Sequence, residues 1–176
     1  MSARDGSADA INLTLGHGAS GNKESMRPYV EGLAKRGIAA TAIDLPKRKA
    51  EDAVDAFEAQ LPAAGRLVVG GQSYGGRVAS LLAARRPLAA LVLFSYPLHR
   101  PGKPELGLRV EHLPAITAPI LFLSGEADPF ARIDLLRETV ASLPNAELVT
   151  YPRLGHGLLP KLDDVLDHVA RFLKAL

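Results

Sequence analysis

The chain has 176 residues, no cysteine and no tryptophan, and its 21 basic and 19 acidic side chains leave a net charge of +2. That length suits one domain, which can bury about 70% of the surface its unfolded chain exposes. The composition excludes disulfides, thiolate zinc sites and a cysteine nucleophile, and the sparse aromatics and the lack of a Lys/Arg run that would track a phosphate backbone argue against a nucleic-acid partner.

The first nine residues are small and polar and are expected to be loosely ordered, within a single domain spanning 1–176. They hold no apolar core of a signal peptide, and no apolar stretch approaches the ~20 residues of a membrane span. A cytoplasmic location is therefore expected. Strands are predicted at "INLTL" (11–15), "AATAI" (39–43), "RLVVG" (66–70), "AALVLF" (89–94), "ILFLS" (120–124) and "AELVTY" (146–151). Most are continuously apolar, as expected when helices cover both faces of a sheet. Helices are predicted at about 25–36, 50–61, 74–85, 132–143 and 164–176. The last carries Val165, Leu166, Val169, Phe172, Leu173 and Leu176 at helical spacing behind Asp163 as N-cap. Strands alternating with helices predict an α/β fold with a parallel sheet and right-handed crossovers. The longest irregular piece, 95–119, contains prolines at 97, 101, 104, 114 and 119, which keep it from being one helix. A loop this long in a compact domain points to function.

Three motifs stand just beyond strand ends. Gly71-Gln72-Ser73-Tyr74-Gly75 reads G-x-S-x-G between an apolar strand and a helix, the setting of a serine nucleophile on a sharp turn. Close helix packing accounts for Gly75, Gly76 and Ala79, but not for a serine at the tip. Asp128, in "ILFLSGEADPF", is placed to orient a histidine, with Glu126 as the fallback acid. An ordinary turn aspartate before Pro129 is the plainer reading. His156, between Gly155 and Gly157, can take a proton from a serine and return it to a leaving group. No second ligand stands near it at metal-binding spacing, so no metal is expected.

Acyl transfer needs donors for a developing oxyanion. The backbone N–H of Tyr74 and that of Ala19, with Gly18 beside it, are the expected pair. His17 is expected to brace that loop. The same loop spells a rival: Gly16-His17-Gly18-Ala19-Ser20-Gly21 is G-x-G-x-x-G, and Asp44 closes the next strand, the pattern of a dinucleotide site. A helix starting inside those glycines would enclose Pro28, at a cost of ~3 kcal/mol. A helix starting near Ser25 tolerates it. A triphosphate loop fits less well, because Asn22 precedes Lys23 and Glu24 follows it.

The order Ser73, Asp128, His156 and the G-x-S-x-G turn resemble the α/β-hydrolase superfamily over nearly the whole chain. Within it, "YPLHRPGKPE" and "HLPAITAPILFLSGEADPF" are similar to a small, cap-less group. That group includes bacterial hydrolase-like domains and a domain of a eukaryotic histone-acetyltransferase complex subunit. The resemblance implies six parallel strands in the order 2-1-3-4-5-6, without the usual first two strands, helices on both faces, and no lid domain between Phe94 and Pro119. Strand 1 then lies beside strand 3 at a topological switch point, where ligands favour the crevice.

The leading reading is a serine hydrolase of ester, thioester or similar acyl bonds acting on a small-molecule substrate without a cofactor. Ser73 is the nucleophile, His156 the base and Asp128 its orienter. Tyr74, Ser95, Tyr96 and His99 are expected to wall the pocket. Arg100, Lys103 and Arg109 hint at an anionic substrate, against the plainer reading of a solvated loop. A hydrolase-fold binding or scaffold module and a dinucleotide-binding oxidoreductase are the alternatives.

Overall fold

The structure is a computed structural model that describes residues 9–176. The loose start expected of the first nine residues therefore falls almost wholly outside the described residues. Six strands are present: β1 (Ile11–Gly16), β2 (Ala40–Ile43), β3 (Arg66–Gln72), β4 (Ala90–Phe94), β5 (Ile120–Gly125) and β6 (Ala146–Tyr151). All pair in parallel, in the order β2-β1-β3-β4-β5-β6.

Among the described residues four α-helices lie between successive strands, α1 (Arg27–Ala34), α2 (Val54–Glu58), α3 (Tyr74–Arg85) and α4 (Ile133–Ala141), and a fifth, α5 (Leu162–Lys174), follows β6. Helix α1 follows a single 3₁₀ turn over Lys23–Met26, so Pro28 lies in its first turn. It ends where Gly37 adopts φ 77° and its N–H reaches the Ala34 carbonyl, at 3.0 Å. The helix expected over 50–61 is a 3₁₀ turn (Ala50–Asp52) followed by the short α2. The expected N-cap Asp163 instead falls inside the first turn of α5. A 3₁₀ turn through Pro160 starts the coil earlier, and Asp163 and Asp164 face the positive end of the helix dipole.

Successive strand residues point to opposite faces, so a strand buried on both sides reads as one apolar run. In β4, Leu91 and Leu93 join the core beneath α2, α3 and α4, whereas Val92 and Phe94 join the core beneath α1 and α5. The residues between β4 and β5 form no separate cap; they carry two 3₁₀ turns, Pro104–Leu106 and Leu113–Ala115. Among the described residues no helix is long and apolar enough to cross a membrane.

Candidate active site

Parallel pairing sends every strand's C-terminal end to the same edge of the sheet. The loops after β1, β3, β5 and β6 therefore gather there despite their distance in sequence. Ser73 is the single residue between Gln72, the last of β3, and Tyr74, the first of α3. It turns the chain with φ 49° and ψ −113°, a conformation costing an L-residue about 1–3 kcal/mol. Its N–H donates to the Phe94 carbonyl at 2.9 Å, and its own carbonyl accepts from the Arg77 N–H at 3.0 Å. So tight a reversal presses α3 onto β1. A Cβ on Gly75 would stand 2.2 Å from the Gly16 carbonyl carbon, and one on Gly71 would stand 2.5 Å from the Gly16 oxygen. The small residues flanking the serine are therefore required by the turn itself.

Asp128 follows β5 in a turn that holds its carboxylate by one main-chain N–H: Oδ1 accepts from the Phe130 N–H at 2.8 Å. Its side chain is wholly buried. The loop after β6 is tied to the same turn, for the Ala127 N–H donates to the Leu154 carbonyl at 2.9 Å. Gly125 permits that approach, since a Cβ there would stand 2.1 Å from the Leu154 oxygen. This junction delivers His156. Its Nδ1 lies 2.8 Å from Asp128 Oδ2, and its Nε2 lies 2.8 Å from Ser73 Oγ. An ionised carboxylate only accepts, so Nδ1 carries the proton, and Nε2 is left with a lone pair facing the serine hydroxyl. Glu126, the alternative acid, accepts instead from Thr150 Oγ1 and Arg137 Nη2, each at 2.8 Å.

Ala19 and Gly18 border the cleft beside Ser73, and among the described residues neither the Ala19 nor the Tyr74 N–H is used in a hydrogen bond. Tyr74, expected as a wall residue, borders the cleft with Ser73, and its hydroxyl donates to the Pro46 carbonyl at 2.8 Å. His17 braces its loop, as expected: the Leu45 N–H donates to Nε2 at 3.0 Å, so Nδ1–H donates to the Gly18 carbonyl at 2.7 Å. Asp44, the carboxylate of the dinucleotide pattern, accepts from the Lys23 N–H at 2.9 Å. The following helix begins well beyond the glycines, at Arg27, unlike the helix that opens within a dinucleotide motif.

Three expected wall residues are not at the cleft. Ser95, Tyr96 and His99 are buried. Tyr96 Oη donates to the Arg109 carbonyl at 2.7 Å, and its ring meets Phe122 edge-on. His99 Nε2 accepts from the Arg132 N–H at 2.9 Å, which leaves Nδ1–H for the Arg100 carbonyl at 2.7 Å. Aromatic bodies with polar tips served the β4–β5 loop as internal struts rather than as a lining. Lys103 lies in a turn closed by its N–H on the Arg100 carbonyl and does not border the cleft, whereas Arg100 and Arg109 do. Sequence reasoning missed Phe130, whose ring stacks on His156 with centroids 4.3 Å apart. It also missed Arg48, Lys49 and Arg77, which border the same cleft; the "KRK" run just past the end of β2 was the available signal.

Two uncharacterized proteins of Mycobacterium tuberculosis, MT2364 and Rv2307c, are each 34% identical to this chain over 125 residues, 61% of this chain and 44% of theirs. The chain thus spans less than half the length of these relatives. Est1E from Butyrivibrio proteoclasticus, solved with ferulic acid bound, superposes with a TM-score of 0.78 at 17% identity, covering 98% of this chain and 91% of that one. An alpha-beta serine hydrolase homologue from Coxiella burnetii gives 0.75 at 13% identity, over 96% and 88% of the two chains. A monoacylglycerol lipase of Paleococcus ferrophilus gives 0.74 at 15%, over 92% and 93%. At such identities the likeness to solved structures is one of fold. A family model described as an alpha/beta hydrolase domain matches residues 8–171. The chain therefore belongs to the alpha/beta hydrolase family.

Proposed function

We propose that this protein is a serine hydrolase that cleaves ester, thioester or similar acyl bonds through an acyl-enzyme. One observation carries the reading: a single imidazole bridges the Ser73 hydroxyl and the buried Asp128 carboxylate, at 2.8 Å on each side. Ser73 Oγ attacks the acyl carbon as its proton passes to His156 Nε2. Asp128 keeps Nδ1–H in place and stabilises the imidazolium. The bond from acyl carbon to leaving group then breaks, and His156 returns the proton to the departing oxygen or sulfur. Water repeats the sequence: its oxygen bonds to the acyl carbon, its proton goes to Nε2, and that proton restores the Ser73 hydroxyl as the acid leaves. The Tyr74 and Ala19 N–H groups receive the oxyanion in both halves, with Gly18 giving the substrate room to approach; each such donor contributes about 10²–10³ in turnover.

A fluorophosphonate probe tests the assignment directly. It labels the native protein and leaves Ser73→Ala unlabelled; equal labelling of both would remove Ser73 from the reaction. A panel of short- and long-chain 4-nitrophenyl esters then sets the acyl preference.

A further inference from the structure

The cleft at Ser73 has two arms that share Ala19, Ser73 and Phe130, and they differ in charge. The first, about 320 Å³, runs along the 18–21 turn to Gln72, Ser25 and His156 and has no Lys or Arg among the described residues that border it. The second, about 460 Å³, excludes His156 and is bordered by Arg48, Lys49, Arg77, Arg100 and Arg109, with Glu51 the one carboxylate among the described residues that border it. Three separate segments supply these cations: the loop after β2, the first turn of α3, and the β4–β5 loop.

Their pairing is unlike that of six of the nine described arginines outside this arm. Arg27, Arg36, Arg85, Arg86, Arg132 and Arg137 each meet a carboxylate. Among the described residues, only Arg77 does so on the charged arm, through Nη2 on Glu51 at 2.5 Å. Its Nη1 is buried and has no partner among the described residues. Arg109 is half-buried, and its Nη1 reaches only the Pro97 carbonyl, at 3.3 Å. Burial and the neighbouring Arg77 hold the Arg109 guanidinium below its ordinary value. Like charges drawn together beside a reaction centre, with little carboxylate to offset them, focus a field that attracts anions. A guanidinium fork matches a carboxylate in two hydrogen bonds.

The side of the cleft decides which part of the substrate carries that anion. His156 protonates the leaving group, so the leaving group occupies the arm that His156 borders. The acyl group must extend the other way. Resting on the hydrolase reading above, we infer that the preferred substrate is a half-ester or half-thioester of a dicarboxylic acid, its free carboxylate held among Arg77, Arg100 and Arg109 while Ser73 attacks the other end.

The test compares 4-nitrophenyl hexanoate with mono-4-nitrophenyl adipate, which differ by one terminal carboxylate. A second pair moves the charge to the leaving group: 4-carboxyphenyl hexanoate and its methyl ester. The expected result is a kcat/KM about tenfold or more higher for the adipate, a preference that shrinks with added salt, and none for the charged leaving group. In Arg100→Gln and Arg109→Gln the adipate-to-hexanoate ratio falls several-fold. The ratio is the readout because impaired folding lowers both rates together. Equal rates on the two acyl esters, or a preference for the charged leaving group, overturn the inference. Binding separates it from the hydrolase reading. If no ester is turned over, monomethyl adipate should still raise the thermal midpoint where methyl hexanoate does not, and Arg109→Gln should erase that shift. That result retains the anion site and discards the hydrolase; absence of any shift discards both.

Discussion

The ring of Phe130 lies over the imidazole of His156, with centroids 4.3 Å apart and planes 27° from parallel, while the main-chain N–H of Phe130 holds Asp128 Oδ1 at 2.8 Å. One residue thus positions two members of the Ser73–His156–Asp128 line by different means. Substitution separates them, because the N–H survives any side-chain change. A stacked pair contributes about 0.5–1.5 kcal/mol, so Phe130→Ala is expected to lower kcat/KM by roughly 2–10-fold, with recovery in Phe130→Tyr. Ester hydrolysis by the three proteins is the measurement, and an Ala variant at full rate would show that the ring is mere cover.

The two acids after β5 are separable in the same assay. Asp128→Asn cannot enforce Nδ1–H and is expected to cut kcat by about 10³–10⁴. Glu126→Gln touches only Thr150 and the exposed Arg137 and should change kcat by no more than about threefold. Comparable losses in both would mean that the acid role is shared.

The strained turn makes an unusual stability order. Ser73 sits at φ 49° and ψ −113°, which Ala cannot relieve and Gly can. Ser73→Gly is expected to be more stable than Ser73→Ala by about 1 kcal/mol, although at ordinary φ glycine is the worse residue by a similar amount. Urea unfolding of the two variants reads the sign, and Ala above Gly would contradict the strain.

The contact between α3 and β1 leaves no room at Gly75. An added Cβ would stand 2.2 Å from the Gly16 carbonyl carbon and 2.4 Å from its oxygen, both backbone atoms that cannot swing aside. Gly75→Ala is expected to lose about 3 kcal/mol or more. A native urea midpoint would show that the helix can lift away at little cost.

His112 confers an acid sensitivity independent of catalysis. Burial, and secondarily the charge of Arg77, push its pKa down from 6.5 to about 4, while its Nε2 stays 2.8 Å from Ser80 Oγ. The unfolded chain therefore takes up a proton that the folded chain refuses between those values. Stability from this group is complete above pH 6.5 and declines as pH falls towards 4. The loss is on the order of 1–2 kcal/mol after allowance for solvent screening. Thermal midpoints measured across that window should fall less steeply in His112→Gln than in the native chain; parallel curves would exclude His112 as the source.

Much of this was legible in the residues alone. Unbroken apolar runs such as "ALVLF" announced strands buried on both faces, and the turn signals between them announced crossover helices, because local periodicity and burial share one cause. Ser73, Asp128 and His156 could be named because each lies just past a strand end, where a parallel sheet gathers its loops. Side-chain direction could not be read in the same way. Tyr96 and His99 have the chemistry of a pocket wall, yet they turn inward to brace a loop, and only the path of that loop back to α4 decides it. The cationic arm was hidden for the opposite reason. Beyond the short Lys47-Arg48-Lys49 run, Arg77 and Arg109 lie far apart along the chain, and it is the strand order, which brings the ends of β2, β3 and β4 to one edge, that makes these cations neighbours.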